Sequence, residues 1–136
     1  MRILALDVGE KRIGVAVSDT GGMIAQTAGI ILRRSWPQVM ADIRTRIAES
    51  DVGRIVVGLP LRMDGTEGDA AVSVRKFIDR LRQAVSVPVD VQDERLSTAA
   101  ADRAMIAGGV RRNRRRASRD AVAAALFLQT YLNRRR

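Results

Sequence analysis

Cysteine and histidine are both absent from the 136-residue chain, and each absence removes a block of chemistry. Without cysteine there are no disulfide frameworks, zinc ribbons or thiol nucleophiles. Without histidine there is no imidazole acid/base pair, no Ser-His-Asp triad and little scope for transition-metal sites. Aromatic residues make up 3% of the sequence, too few for a base-stacking platform. No apolar run approaches the roughly 20 residues of a membrane span. The opening MRILALDVGE meets an aspartate at position 7 instead of the longer apolar stretch of a signal peptide. A cytoplasmic protein with no membrane partner is expected. Carboxylates, hydroxyls, lysine and arginine remain to do chemistry.

What is present suits one domain, residues 1–136, since 46% hydrophobic residues against 29% charged ones can bury a core at this length. The net charge of +9 is concentrated. Residues 111–119 (RRNRRRASR) hold six arginines and the tail 134–136 holds three; neither contains an acid, so these two segments account for the whole excess. Clustered arginine gains by displacing counterions from phosphates, which predicts a nucleic-acid partner gripped by its backbone. The segments read as a basic loop at 110–118 and a basic tail at 134–136. The oligomeric state is left open between monomer and homodimer.

Periodicity predicts strands at Ile3–Val8, Ile13–Ser18 and Met23–Leu32, joined by turns at Gly9–Gly14 and Asp19-Thr20-Gly21-Gly22. Ser35-Trp36-Pro37-Gln38 has capping-box spacing ahead of Val39, Ile43 and Ile47, which predicts a helix. RIVVGL at 54–59 is a buried-type strand followed by a polar loop. Ala71, Val74, Ile78, Leu81 and Val85 form a helical stripe within about residues 67–84, and Val87–Val91 alternates as a fifth strand ending at Asp93-Glu94. Ser97 can cap a helix that stops at Gly108-Gly109, and a last helix is predicted to start at Ser118 with Asp120 in its first turn. The economical arrangement is an α/β fold: a five-stranded mixed sheet, three antiparallel strands then two parallel, with helices on both faces.

In such a sheet, functional groups gather beyond the carboxyl ends of the parallel strands. Asp7 and the pair Asp93-Glu94 end two of those strands, and Asp120 joins them if the last helix points its amino end at the same rim. Alternation does not choose between Asp93 and Glu94, and a helix macrodipole would favour Asp120 in a first turn regardless of function. Three carboxylates without nitrogen or sulfur make a hard all-oxygen site that suits Mg²⁺ or Mn²⁺. Without a cation their repulsion raises at least one pKa.

LALDVGEKRIGVAVSD, GLPLRMDGTEG, QDERLST and RRASRDAVAAALFLQTYL resemble, in order and spacing, the four signature segments of the YqgF family of pre-16S rRNA nucleases, also called Holliday-junction-resolvase-like proteins. The resemblance spans nearly the whole chain. It implies an RNase H-like fold and assigns the catalytic, metal-holding carboxylates to Asp7, Glu94 and Asp120, so it selects Glu94 over Asp93. It further implies a two-metal nuclease in which Asp7 bridges two ions and Glu94 and Asp120 hold one each. Lys11, Arg12, Arg111, Arg112, Arg114, Arg115, Arg116 and Arg119 are the expected phosphate contacts. Gly9, Gly58, Pro60, Met63, Asp64 and Gly65 are expected to shape the cleft, with Asp64 forming a turn rather than holding metal.

The expected function is 5′-end processing of pre-16S rRNA in ribosome biogenesis. Two alternatives are a resolvase cutting four-way DNA junctions and a non-catalytic RNA-binding assembly factor. A third alternative takes DVGEKRIG as the first phosphate loop of an actin-like ATPase or sugar kinase; it ranks below the others, because those enzymes close two such domains around a nucleotide and 136 residues do not supply both.

Overall fold

The computed structural model describes residues 1–95 and 112–135, the side chains of 112–118 excepted. Strands β1 (Arg2–Val8), β2 (Arg12–Ser18) and β3 (Ala25–Leu32) form an antiparallel meander. Helix α1 (Trp36–Glu49) leads to β4 (Val52–Leu59), and α2 (Asp69–Ala84) leads to β5 (Val89–Asp93). β4 pairs with β1 and β5 with β4, both in parallel, giving the order β3-β2-β1-β4-β5. The five-stranded mixed sheet expected from the sequence is therefore present. The chain builds outward from β1 on one side and then on the other, so strand order reverses at β1. That reversal is where an open sheet leaves a crevice beyond its carboxyl ends.

Alternation along β1 decides which side chains face which layer. Leu4 and Leu6 enter a core with Ile13, Val15, Ile55 and Val57 beneath α1 and α2, and α2 contributes Ala71, Val74, Phe77, Ile78 and Leu81. Ala5, with Ala16 and Val56, faces the other way against Ala124, Phe127, Leu128 and Leu132 of α3 (Arg112–Arg134). The odd positions of β1 thus lie beneath α3, and Asp7 continues that row past the end of the apolar cluster.

Ser35 caps α1 by accepting a 3.4 Å hydrogen bond from the Gln38 amide, with Pro37 placed in the first turn where its missing N–H costs nothing. Towards the carboxyl end of α3, the Tyr131 hydroxyl donates to Asp90 and fastens the helix to β5. No helix among the described residues is long and apolar enough to cross a membrane.

Two expectations are corrected. Helix α3 starts at Arg112 instead of Ser118. Arginine and alanine are strong helix formers, so RNRRRA carries the helix upstream and overrides the capping preference of Ser118. Residues 112–118 are therefore two helical turns and not part of a basic loop. Asp120 consequently sits in the third turn of α3, beyond the reach of a macrodipole explanation. The helix expected between Ser97 and Gly109, and positions 110 and 111, lie outside the described residues.

Candidate active site

Asp7 is the penultimate residue of β1, paired across the ladder with Gly14 of β2. Gly14 has no side chain because α3 lies directly on it: a β-carbon there would overlap the Asp120 carbonyl and come 2.7 Å from the Ala121 amide nitrogen. This close approach brings the third turn of α3 over the end of β1. The same contact sets Asp120 at the rim, with its Oδ2 3.9 Å from Arg12 Nε.

Glu94 is the first residue after β5, and its amide donates 3.3 Å to the Leu59 carbonyl at the end of β4. Its carboxyl shares a hydrogen bond with Asp7, while Oε2 is buried with no hydrogen-bond partner among the described residues. Burial above all, then the neighbouring Asp7 charge, pushes Glu94 up to about 9. Asp7 is also raised by burial and by Asp120, against the opposing pull of its hydrogen bond to Glu94 and of Arg119. Two facing carboxylates in a partly dry site share one proton near neutrality.

Asp93 turns elsewhere. Its Oδ2 lies 2.6 Å from Arg95 in an ion pair, and its carboxyl is held below the usual range by that arginine. The structure brings Glu94, not Asp93, to Asp7.

The cleft residues divide. Gly58 of β4 lies under the site: a β-carbon would collide with Glu94 Oε2 and stand 2.7 Å from the Phe127 ring. Gly9 closes the turn after β1 by donating 2.9 Å to the Arg12 carbonyl. Asp64 accepts from the Thr66 amide at 2.9 Å and from its hydroxyl at 2.7 Å, the pattern of a turn. Gly65 completes that turn at φ +89°. Pro60 leaves β4 half-buried, and Met63 is exposed at the loop, its carbonyl 3.4 Å from Arg95.

Of the expected phosphate contacts, Lys11 is exposed on the turn beside the site, Arg12 is partly buried against Asp120, and Arg119 is close enough to influence Asp7. Arg112, Arg114, Arg115 and Arg116 lie on the first turns of α3, their side chains outside the described residues, as is Arg111 altogether. Sequence reasoning missed Gly14 and Phe127 as builders of the site. A glycine inside a strand is a signal for close backbone approach; the phenylalanine carried none.

The donor set fits a hard divalent cation in type: oxygen only, mutually repelling, with one buried oxygen awaiting a partner. Among the described residues, no group of three acidic side chains is arranged to hold an ion as it stands. Asp7 and Glu94 are together, and Asp120 is drawn to Arg12.

Residues 1–134 match the RuvX family, described as Holliday junction resolvase. The chain belongs to that family. Relatives of this RuvX chain named "Putative pre-16S rRNA nuclease" include those of Halothermothrix orenii, 45% identical over 98% of this chain and 95% of that protein, and Myxococcus xanthus, 46% identical over 100% and 90%. The relative from Symbiobacterium thermophilum is 47% identical over 99% and 94%. Among solved structures, RuvC of T. thermophilus in complex with Holliday junction substrate superimposes with a TM-score of 0.58 at 17% identity, covering 99% of this chain and 95% of that one. The fowlpox virus Holliday junction resolvase gives 0.58 at 17% identity over 98% and 99%. These likenesses establish the RuvC-like RNase H fold. As a RuvX protein the chain is a phosphodiester-hydrolysing nuclease.

Proposed function

We propose that this chain cleaves RNA during 5′-end processing of pre-16S rRNA, with Asp7, Glu94 and Asp120 as its catalytic carboxylates and Mg²⁺ or Mn²⁺ as cofactor. The observation that carries this reading is the convergence of Asp7 and Glu94, from distant parts of the sequence, on a buried oxygen with no partner among the described residues. The full-length similarity to relatives bearing that name favours RNA over a DNA junction.

Asp7, Glu94 and Asp120 would hold the cations, since Asp7 and Glu94 each interact with the other two carboxylates. Divalent cations, when bound, supply the positive charge that offsets the anionic phosphate and the charge developing during in-line displacement. Without them, one proton between Asp7 and Glu94 keeps the pair from repelling, and Arg12 holds the Asp120 carboxylate aside. Ionisation of Glu94 readies the set for a cation. Lys11, Arg12 and Arg119 flank the carboxylates and would seat the phosphates on either side, while the arginines opening α3 would grip the backbone beyond. Such contacts position a strand without reading its bases.

A second reading, cleavage of four-way DNA junctions, is favoured by the family description and the resolvase fold. Purified protein incubated with precursor 16S rRNA and with a four-way junction, each with Mg²⁺ or Mn²⁺, separates the two. Precursor cleavage that is lost in Asp7→Asn, with the junction left whole, is expected. Junction resolution without precursor cleavage would select the second reading, and turnover by Asp7→Asn equal to wild type would remove Asp7 from catalysis.

A further inference from the structure

Beside the β1–β2 turn, and sharing no residue with the three carboxylates, is an open cavity of about 380 Å³ lined by Glu10, Arg33, Arg34, Ser35, Trp36, Val39 and Arg80. Among the described residues, five arginines of the fold are neutralised in ion pairs, and the three lining this cavity are not. Arg12, Arg46, Arg54, Arg75 and Arg95 each have a carboxylate partner, whereas Arg33, Arg34 and Arg80 have none among the described residues. Glu10, the acid lining the same cavity, lies in no ion pair with them.

Two of these guanidiniums are nevertheless fixed in place. Arg80 sits 3.9 Å above the Trp36 ring, and Trp36 is braced edge-on against Phe77 with centroids 5.4 Å apart. Arg33 lies 5.5 Å over Phe77, and its Nη1 donates 2.7 Å to the Gly9 carbonyl. Aromatic faces orient a guanidinium without neutralising it, so its remaining N–H groups stay available to an anion. Three cationic groups held around a hollow against the single carboxylate of Glu10, which pairs with none of them, leave the net positive charge that a phosphate-binding wall requires.

The cavity is tied to the active site through the backbone. The Arg33 amide donates 2.9 Å to the Lys11 carbonyl, and the Gly9 carbonyl held by Arg33 is two residues from Asp7. Arg119, Arg12, Lys11, Arg33, Arg34 and Arg80 therefore mark a basic path from the carboxylates over the Gly9–Arg12 turn to the cavity.

We propose that this cavity is a second phosphate subsite, which receives the sugar–phosphate backbone of the single strand leaving the carboxylates across that turn. Trp36 acts as a positioning residue that holds Arg80. The proposal rests on the nuclease reading above and adds where the flanking strand runs.

Trp36 is the sole tryptophan of the chain, so its fluorescence reports on the cavity directly. The Asp7→Asn protein in Mg²⁺ is titrated with a short single-stranded RNA oligonucleotide over a range of salt concentrations, alone and with Arg34→Ala plus Arg80→Ala. Both arginines are exposed, and circular dichroism melts check that the variants fold. The expected result is a saturable change in Trp36 emission and, in the arginine variant, affinity lowered about tenfold with a salt slope shallower by about 1. Unmoved Trp36 emission, or an unchanged affinity and slope, while wild type still binds and cuts RNA, would overturn the subsite and leave the nuclease reading standing. A nucleoside monophosphate producing the full change at the oligonucleotide's concentration would make it a free-nucleotide site and overturn the strand path. Failure of wild type to bind any nucleic acid would take down both.

Discussion

The carboxylate of Glu94 occupies the space that a side chain at position 58 would fill, so Gly58 and Glu94 are one fitted pair. Gly58→Ala should therefore displace the acid, with Phe127 blocking retreat on the other side. Overpacking of this kind costs about 1–3 kcal/mol, and a misplaced catalytic group costs about a hundredfold or more in rate. Turnover measured beside a urea melt checks this: the loss of activity should far exceed the loss of folded protein at assay temperature.

Gly14 is under backbone instead of side chain. Its alanine variant meets the Asp120 carbonyl, which cannot rotate away, so α3 must lift from β2. Destabilisation at or above the upper end of the roughly 1–3 kcal/mol overpacking range is expected. Denaturant unfolding reads it, and a Gly14→Ala protein as stable as wild type would contradict the close approach of the helix.

Glu94 links the site to pH. Its folded-state pKa of about 9 lies above the ordinary 4.5, so the folded protein holds this proton more tightly than the unfolded chain. The corresponding stability is fully present below 4.5 and is lost as pH rises through about 9. In EDTA, Tm should fall across that window, and Glu94→Gln should remove much of the fall while abolishing cleavage. Added Mg²⁺ or Mn²⁺ should raise the wild-type Tm at the alkaline end and leave Glu94→Gln nearly unmoved. Calorimetry across a pH series decides it; a wild-type profile that rises over the window would contradict the assignment.

The arginines opening α3 should act on affinity and not on chemistry. Changing Arg112, Arg114, Arg115 and Arg116 to alanine preserves helix propensity while shallowing the salt slope of RNA binding by about 0.7 for each phosphate that is no longer neutralised. Filter binding at several salt concentrations measures this, and an unchanged slope would argue against the grip.

Much of the sheet could be read from the chain because each strand carries its own apolar run or alternation and the turns carry their own aspartate or glycine, as at Asp19 and Gly65. The helix beginning at Arg112 could not, since Ser118 offers a local cap that only competes with, and here loses to, the propensity of the arginines before it. The second core under α3 is built in part from Ala5, Ala16 and Ala124, whose small side chains give periodicity little to detect.

By itself the sequence determined that a single sheet would form, that no thiol or imidazole chemistry was possible, and that Asp7 would stand at a strand end. Alternation could not choose between Asp93 and Glu94, and only the resemblance to a family selected Glu94. Tertiary structure supplied the reason Glu94 meets Asp7, and alone decided that Asp120 is held at the rim by α3 resting on Gly14 and that Arg33, Arg34 and Arg80, without carboxylate partners among the described residues, line one cavity with Trp36. Local patterns record what one segment does along its own axis. Which of two adjacent acids turns inward depends on the neighbours that twist and packing bring from elsewhere: Arg95 taking one, and the empty space above Gly58 admitting the other.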